Sequence, residues 1–232
     1  MTEKTSIFLD IIPELTETQT AEQLRDTFLH DESSPLTLRL DGEGLSLHAD
    51  GQTLRGDFVK MLPRVKPGMP SHEMLVKTAK IKNPDGPLTA VDATAGLGED
   101  SILLAAAGFH VTMFEKNPVI HALLSDALDR AKSVPELSEI VSRMELFHAD
   151  SIEGMKNLPF CPDVILLDPH VPRTAEERAG EKEAPDDPKA GVPLYRRGGA
   201  ASVRHGSGAK EAHHQASTQG ALSGGDQARP LH

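Results

Sequence analysis

The sequence contains little cysteine and few aromatic residues, with one Cys, one Tyr and no Trp in 232 residues. A single cysteine excludes an internal disulfide and is typical of a reducing compartment. No apolar run approaches the roughly 18 residues that span a bilayer, and the polar start MTEKTSIFLD lacks the pattern of a signal peptide. We therefore predict a cytoplasmic protein with no membrane partner.

Positive charge is also scarce, with 24 Lys and Arg against 35 Asp and Glu and a formal net charge of −11. Nonspecific affinity for nucleic acid comes mainly from Lys and Arg that neutralise phosphates, so this composition argues against a general polyanion binder. Residues 1–169 hold 15 of the basic and 27 of the acidic residues, which leaves this part at −12. A nucleic-acid substrate must therefore be argued from a specific site.

Hydrophobic periodicity and composition divide the chain into three segments, and the periodicity predicts regular secondary structure in the first two. In residues 1–85 the pattern predicts a polar helix near residues 20–29, short strands at LTLRL and LSLHA, and a connecting helix at HEMLVKTAKI. This segment is predicted to form a small β-rich lead-in to the main sheet. Residues 86–170 alternate strand and helix signals: TAVDAT, DSILLAAAG, HVTMFEK, PVIHALLSDALDRAK, RMELFHAD and DVILLDP. This alternation predicts an α/β fold with a doubly wound parallel sheet and a ligand site at the carboxyl ends of its strands.

The third segment, residues 171–232, has a different composition. It contains no Ile, Phe, Met, Cys or Trp, one aromatic residue (Tyr195), and only six Val or Leu. Such a segment cannot bury enough apolar surface to offset an ordering entropy of about 1–2 kcal/mol per residue for the backbone. We predict that it is disordered.

A glycine pair lies between the first predicted strand of the sheet and the helix that follows, in the motif DATAGLGED. Gly96 and Gly98 allow a tight turn and a close approach of the backbone to a ligand, although many turns need glycine for geometry alone. Glu115 ends the next strand, where a carboxylate can accept both hydroxyls of a ribose. Together these residues predict a nucleoside-containing cofactor.

The acidic residues after the glycines favour S-adenosylmethionine over NAD. Glu99 and Asp100 place negative charge at the helix start, where a pyrophosphate would be repelled and a methionyl ammonium attracted. Asp150 and Ser151 follow the third strand and could hydrogen-bond the adenine edge. Asp150 is equally suited to cap a helix, and both roles are compatible.

The fourth strand ends in Asp168 and Pro169. A carboxylate beside a proline carbonyl can hold an exocyclic amino group while its lone pair attacks a methyl group. We therefore take both residues as candidate catalytic groups, and Asp168 also as a cofactor contact; the alternative is a strand-ending Asp-Pro turn. The histidines do not form a metal set, and no metal is expected.

The segment that carries these motifs resembles a known family. The string VDATAGLGEDSILLAAAGFHVTMFEKNPVIHALLSDAL, followed by ELFHADS and VILLDP, resembles the ribosomal RNA small subunit methyltransferase J family. The resemblance implies a Rossmann-like class I fold and methylation of the N2 amino group of a guanosine in 16S rRNA, with S-adenosylmethionine as methyl donor. It also implies cofactor contacts at Glu99, Asp100, Glu115, Lys116, Asp150, Ser151 and Asp168. Glu99, Lys116 and Asp150 differ from the residues that the family carries there, which favours backbone contacts at these positions.

The resemblance ends at His170. Read one nucleotide later with permitted codons, the chain from Val171 onward can give strings such as MFPERQ, KKK and KRPRK, which look like the family's C-terminal half. We hypothesise that Val171–His232 is an out-of-frame translation. The sheet would then keep about four of its usual seven strands and have an unprotected edge, the basic surface would be lost, and the chain as written would have little or no activity.

Two further functions stay open on the sequence alone. One is a methyltransferase that acts on another amino-group substrate, because Asp168 and Pro169 favour an amino acceptor without fixing its size. The other is a non-catalytic nucleotide-binding module that has kept the pocket. Turnover of the bound ligand, as opposed to its retention, distinguishes an enzyme from such a module.

Overall fold

The computed structural model describes residues 4–82 and 86–168, and the backbone of two short strands at residues 193–196 and 199–202. Pro169, His170 and all of the segment 171–232 except these two strands lie outside the described residues. Among the described residues, no helix has the length and apolar character needed to cross a membrane.

The N-terminal part forms a five-stranded sheet with the strand order β2-β1-β3-β4-β5. β1 pairs parallel with β2 and β3, and the other pairs are antiparallel. The helix and the two strands predicted here are confirmed, whereas β1 was not evident from periodicity because only Ile7 of its seven residues is buried. The elements are β1 (Thr5–Ile11), α1 (Gln19–Thr27), β2 (Phe28–His30), β3 (Thr37–Asp41), β4 (Gly44–Ala49) and β5 (Gln52–Leu54).

Short helical turns connect this sheet to the second one. They comprise a 3-10 helix at Phe58–Met61, α2 (Leu62–Val65), a 3-10 helix at Pro70–His72 and α3 (Met74–Ala79). The predicted connecting helix is therefore present but shorter than its apolar pattern, because the backbone of Glu73 and Lys80 on either side is not helical.

The second part forms a six-stranded sheet with the order β11-β10-β9-β6-β7-β8. Strands β9, β6, β7 and β8 are parallel, which confirms the predicted α/β, doubly wound, Rossmann-like sheet. Chain order reverses between β6 and β9, so a crevice opens beside the end of β6. The elements are β6 (Thr89–Asp92), α4 (Glu99–Ala106), β7 (His110–Glu115), α5 (Pro118–Lys132), α6 (Pro135–Val141), β8 (Met144–His148), α7 (Ser151–Lys156), β9 (Val164–Leu166), β10 (Pro193–Arg196) and β11 (Gly199–Ser202).

Strands β10 and β11 lie in the segment predicted to be disordered. β10 pairs antiparallel with β9, with Leu194 opposite Leu166, and β11 pairs antiparallel with β10. Two strands thus occupy eight residues of the segment predicted to be disordered, and β10 pairs with the edge of β9 that the predicted four-stranded sheet would leave open. Disorder stays a prediction for the other residues of that segment. A strand edge offers unpaired N–H and C=O groups, and an extended segment can pair with them through its backbone whatever its side chains are.

The N-terminal sheet packs against α5 of the second part. Val119 and Leu123 of α5 are buried in the same cluster as Ile7, Phe28 and Leu38. A polar contact reinforces this packing: Asp126 accepts hydrogen bonds from the Leu45 amide (3.0 Å) and from Arg130 Nε (2.8 Å), and Arg130 also donates to the Gly56 carbonyl. A Cβ at Gly56 would lie 2.8 Å from Ala127 Cβ, so the absent side chain permits this close approach.

Candidate functional site

A cavity of about 570 Å³ opens at the carboxyl ends of the parallel strands. This is where ligands bind in doubly wound sheets. Six of the residues singled out from the sequence line it: Gly96, Glu115, Lys116, Asp150, Ser151 and Asp168. The lining does not include Gly98, Glu99 or Asp100. Pro169 lies outside the described residues.

The two glycines of the turn have different roles. Gly96 has a φ of +54°, and the nearest atom to a Cβ there would be the Thr94 carbonyl oxygen at 3.9 Å, so its missing side chain leaves the cavity open. Gly98 has a φ of +77°, and its Cβ would lie 2.8 Å from Leu124 Cδ1 and 3.1 Å from Phe58 Cζ. Gly96 therefore provides space beside the cavity, whereas Gly98 is required by backbone conformation and packing.

The Glu115 carboxylate is held in place by two backbone amides. Its Oε2 accepts a hydrogen bond from the Gly96 amide (3.1 Å), and its Oε1 accepts one from the Asn117 amide (2.7 Å). A carboxylate has about four acceptor positions on its two oxygens. Glu115 can therefore accept further hydrogen bonds from hydroxyl groups of a ligand without giving up the contacts that orient it.

Asp150 caps the short helix α7. Its Oδ1 accepts a hydrogen bond from the Ile152 amide at 2.9 Å, which confirms the capping role considered from the sequence. Asp150 and Ser151 both line the cavity, so the cap and a ligand contact are compatible in the structure.

The position of Asp168 is fixed through Thr94. The Asp168 amide donates a hydrogen bond to Thr94 Oγ1 at 2.8 Å, which ties the end of β9 to the loop that follows β6. The residue itself is exposed at the rim of the cavity. Its carboxylate is therefore accessible to a substrate that approaches from outside.

A buried carboxylate, Asp92, lies beneath this edge and was missed by sequence reasoning. It is 2% exposed and accepts hydrogen bonds from Ser101 Oγ (2.6 Å) and from the Thr94 amide (3.1 Å). Burial raises the pKa of Asp92 to about 6, against the opposing effect of these hydrogen bonds. The signal in the sequence was an acidic residue directly after an apolar strand.

Asp100 lies near the cavity without lining it. Burial raises the pKa of the Asp100 carboxyl, and the negative charge of Asp168 raises it further, whereas Arg64 opposes the shift. Arg64 forms a bidentate ion pair with Glu73, with both N–O distances 2.8 Å. Glu99 is exposed in the same first turn of α4. Asp100 is thus within electrostatic range of both Asp168 and Arg64, whereas Glu99 is within range of Arg64.

Two histidines stack beside the cavity. The ring centroids of His121 and His148 are 4.9 Å apart, and His148 Nε2 lies 3.2 Å from the carbonyl oxygen of the lining residue Lys116. Burial, and secondarily His148, lowers the pKa of His121 to about 4, so its imidazole is neutral at pH 7. In the described part of the chain, no group of three or more His, Cys, Asp or Glu is arranged to hold a metal ion.

The N-terminal sheet supplies part of the cavity. Leu54, the last residue of β5, lines it directly. Leu97 and Ile120 also line it, and both pack against the cluster that fills the N-terminal sheet. This apolar side of the cavity was not foreseen from the sequence, because nothing local to residues 1–85 indicates which face of the second sheet they cover.

Comparison with known proteins identifies the family. Residues 21–184, more than two thirds of the chain, match the family described as "Putative SAM-dependent methyltransferase". The chain belongs to this family of S-adenosylmethionine-dependent methyltransferases. A crystal structure of a protein from Neisseria gonorrhoeae, described as a SAM-dependent methyltransferase, is 28% identical with a TM-score of 0.59, over 72% of this chain and 70% of that one. The family confirms S-adenosylmethionine as the cofactor, which Glu99 and Asp100 favoured over NAD in the sequence.

Curated relatives carry a more specific name. A ribosomal RNA small subunit methyltransferase J from Marinobacter nauticus is 37% identical over 155 residues, which cover 64% of this chain and 56% of the relative. The protein of the same name from Acinetobacter baylyi is 36% identical over 161 residues, which cover 68% of this chain and 58% of the relative. The matched region thus spans less than two thirds of the length of these relatives.

Proposed function

We propose that this chain binds S-adenosylmethionine in the cavity at the strand ends and that it methylates the N2 amino group of a guanosine in 16S rRNA of the small ribosomal subunit. The observation that carries the proposal is the meeting of Gly96, Glu115, Asp150 and Asp168 at one cavity. The relatives named as small subunit rRNA methyltransferases support the choice of substrate.

The lining residues fit this cofactor by their chemistry. Glu115, fixed by two amides, has acceptor capacity left for the two ribose hydroxyls. Asp150 and Ser151 lie where polar groups can contact the adenine edge, and Lys116 contributes to the same rim. Leu54, Leu97 and Ile120 provide the apolar surface that a nucleoside needs in order to be taken out of water.

The transfer step relies on positioning. S-adenosylmethionine, when bound, supplies a methyl group on a positively charged sulfur. Asp168 accepts hydrogen bonds from the guanine amino group and aligns its nitrogen lone pair with the methyl group, with Pro169 as the proposed second contact. After transfer the amino nitrogen carries one proton more than the product needs. Asp168 accepts that proton from the nitrogen and, because it is exposed, can pass it to water.

Cofactor binding and methyl transfer are tested separately. Isothermal titration calorimetry with the full chain measures affinity for S-adenosylmethionine, and tritium transfer to small subunits that lack the modification measures turnover. We expect Asp168→Asn to lose transfer by at least about tenfold more than it loses cofactor affinity. Mass spectrometry of the product locates the methyl group. Binding without transfer to any RNA, even after the reading frame beyond position 170 is restored, would reject the proposed reaction and leave a nucleotide-binding module, whereas transfer to another amino group would change only the substrate.

We further propose that residues 171–232 are an out-of-frame translation and that the chain as written has little or no activity. The support is compositional, since this segment has six Val or Leu and no Ile, Phe or Met in 62 residues. Sequencing of the source gene across the codons for residues 167–173 tests it. An extra or missing nucleotide is the expected result, and a confirmed read together with normal turnover would reject the proposal.

A further inference from the structure

A local excess of positive charge lies in residues 58–82, named here the basic segment. It contains six Lys or Arg and one acidic residue, Glu73. The remainder of residues 1–169 contains nine Lys or Arg and 26 Asp or Glu. The basic segment therefore has a net charge of +5 within a region that is otherwise strongly acidic.

The lysines of the basic segment are available for a partner. All its Lys and Arg side chains are exposed. Within the described residues, no carboxylate lies within 4.0 Å of Lys66, Lys77 or Lys80. By contrast, Lys132 and Lys156 in the acidic remainder are paired at 2.7 Å and 2.6 Å with Asp129 and Glu153.

Two of these lysines line a groove that is separate from the cofactor cavity. The groove has a volume of about 510 Å³, and Lys77 and Lys80 lie beside Gly68 and Ser71 in its lining. Its remaining lining is largely apolar: Pro70, Val76, Ile81, Leu88, Ala106, Ala107 and Phe109. Cationic side chains and a hydroxyl around an apolar groove suit a chain of sugars and phosphates.

The basic segment leads to the candidate site along α4. At one end of α4, Arg64 lies within electrostatic range of Asp100 and Glu99, and Asp100 lies within range of Asp168. At the other end, Ala106 and Ala107 form part of the groove. Eight helical residues span about 12 Å, so the groove with Lys77 and Lys80 lies about that far along α4 from the turn that holds Asp100, a distance of a few nucleotides.

We propose that the basic segment binds the phosphate backbone of the RNA substrate next to the nucleotide that is methylated, with Lys77 and Lys80 as direct phosphate contacts. This inference rests on the proposed function. An acidic protein contacts RNA productively only where its positive charge is concentrated, and in the described residues Lys77 and Lys80 provide unpaired charge at the end of α4 away from Asp100. The basic surface is then not confined to the C-terminal half that the family carries after position 170.

The test measures RNA binding as a function of salt. The double variant Lys77→Gln/Lys80→Gln and the matched control Lys132→Gln/Lys156→Gln are made in the full 232-residue chain. A fluorescently labelled, unmodified 16S rRNA transcript is titrated from about 50 to 200 mM KCl. We expect the salt slope of the first variant to become shallower by about 1.4 and its affinity near 0.1 M salt to fall roughly 25-fold. The control should change less than about twofold, because its lysines are neutralised within the protein.

Three outcomes count against the inference, and they differ from failure of the proposed function. An unchanged salt slope in the Lys77/Lys80 variant overturns it. Loss of binding to intact small subunits without loss of binding to the naked transcript also overturns it, since the partner would then be a ribosomal protein. A wild-type chain that binds S-adenosylmethionine but no transcript overturns it as well. Failure of the proposed function itself appears instead as absence of cofactor binding, or as methyl transfer to an acceptor other than 16S rRNA.

Discussion

The cofactor cavity has two sides that come from different parts of the molecule. The polar side consists of Gly96, Glu115, Asp150, Ser151 and Asp168, all at the carboxyl ends of the parallel strands or directly after them. The apolar side consists of Leu54, Leu97 and Ile120, which the N-terminal sheet supplies or supports. The parallel sheet thus provides directional contacts, and the N-terminal sheet provides the surface that excludes water.

The two sides meet at the glycine turn. Gly98 packs against Leu124 of α5 and against Phe58, which belongs to the link between the two sheets, while Gly96 faces the cavity. The turn that places the Gly96 amide on Glu115 is therefore supported from the N-terminal side. The N-terminal segment is therefore a structural part of the candidate site and not only a cover for the sheet.

Gly98→Ala should cause the largest loss of stability, because Gly98 lies at the turn where the two sides of the cavity meet. A left-handed backbone costs a non-glycine residue about 1–2 kcal/mol, and overpacking against Leu124 and Phe58 costs a further 1–3 kcal/mol. We expect a loss of roughly 3 kcal/mol in the free energy of unfolding, measured by urea denaturation. Gly96→Ala is the matched control, and it should lose only about 1 kcal/mol but bind the cofactor poorly. Equal losses of stability would contradict the assignment of different roles to the two glycines.

Asp92→Asn should change how stability depends on pH. The folded pKa of about 6 lies above the ordinary value of 3.8, so the folded state holds its proton more tightly, and this contribution to stability is lost as pH rises from about 4 to about 6. The variant lacks this loss, which amounts to roughly 3 kcal/mol at most. In urea denaturation, the free energy of unfolding of the variant relative to that of the wild type should therefore be higher at pH 7 than at pH 4.5. Asp129→Asn, an exposed carboxylate, should show no such difference.

Glu115→Gln should weaken the polar side. The glutamine side chain has one acceptor oxygen fewer and no negative charge. It therefore cannot accept hydrogen bonds from both ribose hydroxyls while it also accepts those from the Gly96 and Asn117 backbone amides. Charge-assisted hydrogen bonds contribute about 1.5–3 kcal/mol, which corresponds to a loss of roughly 100-fold in affinity for S-adenosylmethionine by calorimetry. Glu145→Gln, an exposed carboxylate on neighbouring β8, is the control. An affinity within threefold of the wild type would argue against a ribose contact.

Leu54→Ala should weaken the apolar side, with the smallest effect of the four. Leu54 is 40% exposed, so the substitution costs little stability, but it removes apolar area next to the bound nucleoside. We expect a loss of about fivefold in cofactor affinity, or about 1 kcal/mol. Leu29→Ala, at 56% exposure on β2, is a comparable truncation that does not line the cavity. If both variants bind equally well, the N-terminal sheet has no part in cofactor binding.

The residues at the strand ends could be predicted, because a short stretch of sequence is enough to indicate each of them. Gly96 and Glu115 lie at the ends of two apolar strands, and parallel strands bring their carboxyl ends to one edge of a sheet. The same reasoning located Asp150, Ser151 and Asp168. Asp92 has the same kind of signal, but its burial depends on how α4 packs over β6, and a pattern in one segment does not show that packing.

The sequence by itself determined the alternation of strands and helices, the glycine turn and the order of the acidic residues, because these depend on hydrophobic periodicity and on neighbouring residues. Tertiary structure alone decided that Leu54 reaches the cavity, that Phe58 supports Gly98, and that Lys77 and Lys80 share a groove with the end of α4. It also decided that β10 pairs with β9, through backbone groups that carry no side-chain signal. These contacts join residues far apart in the chain, and their formation depends on the packing of whole elements against one another.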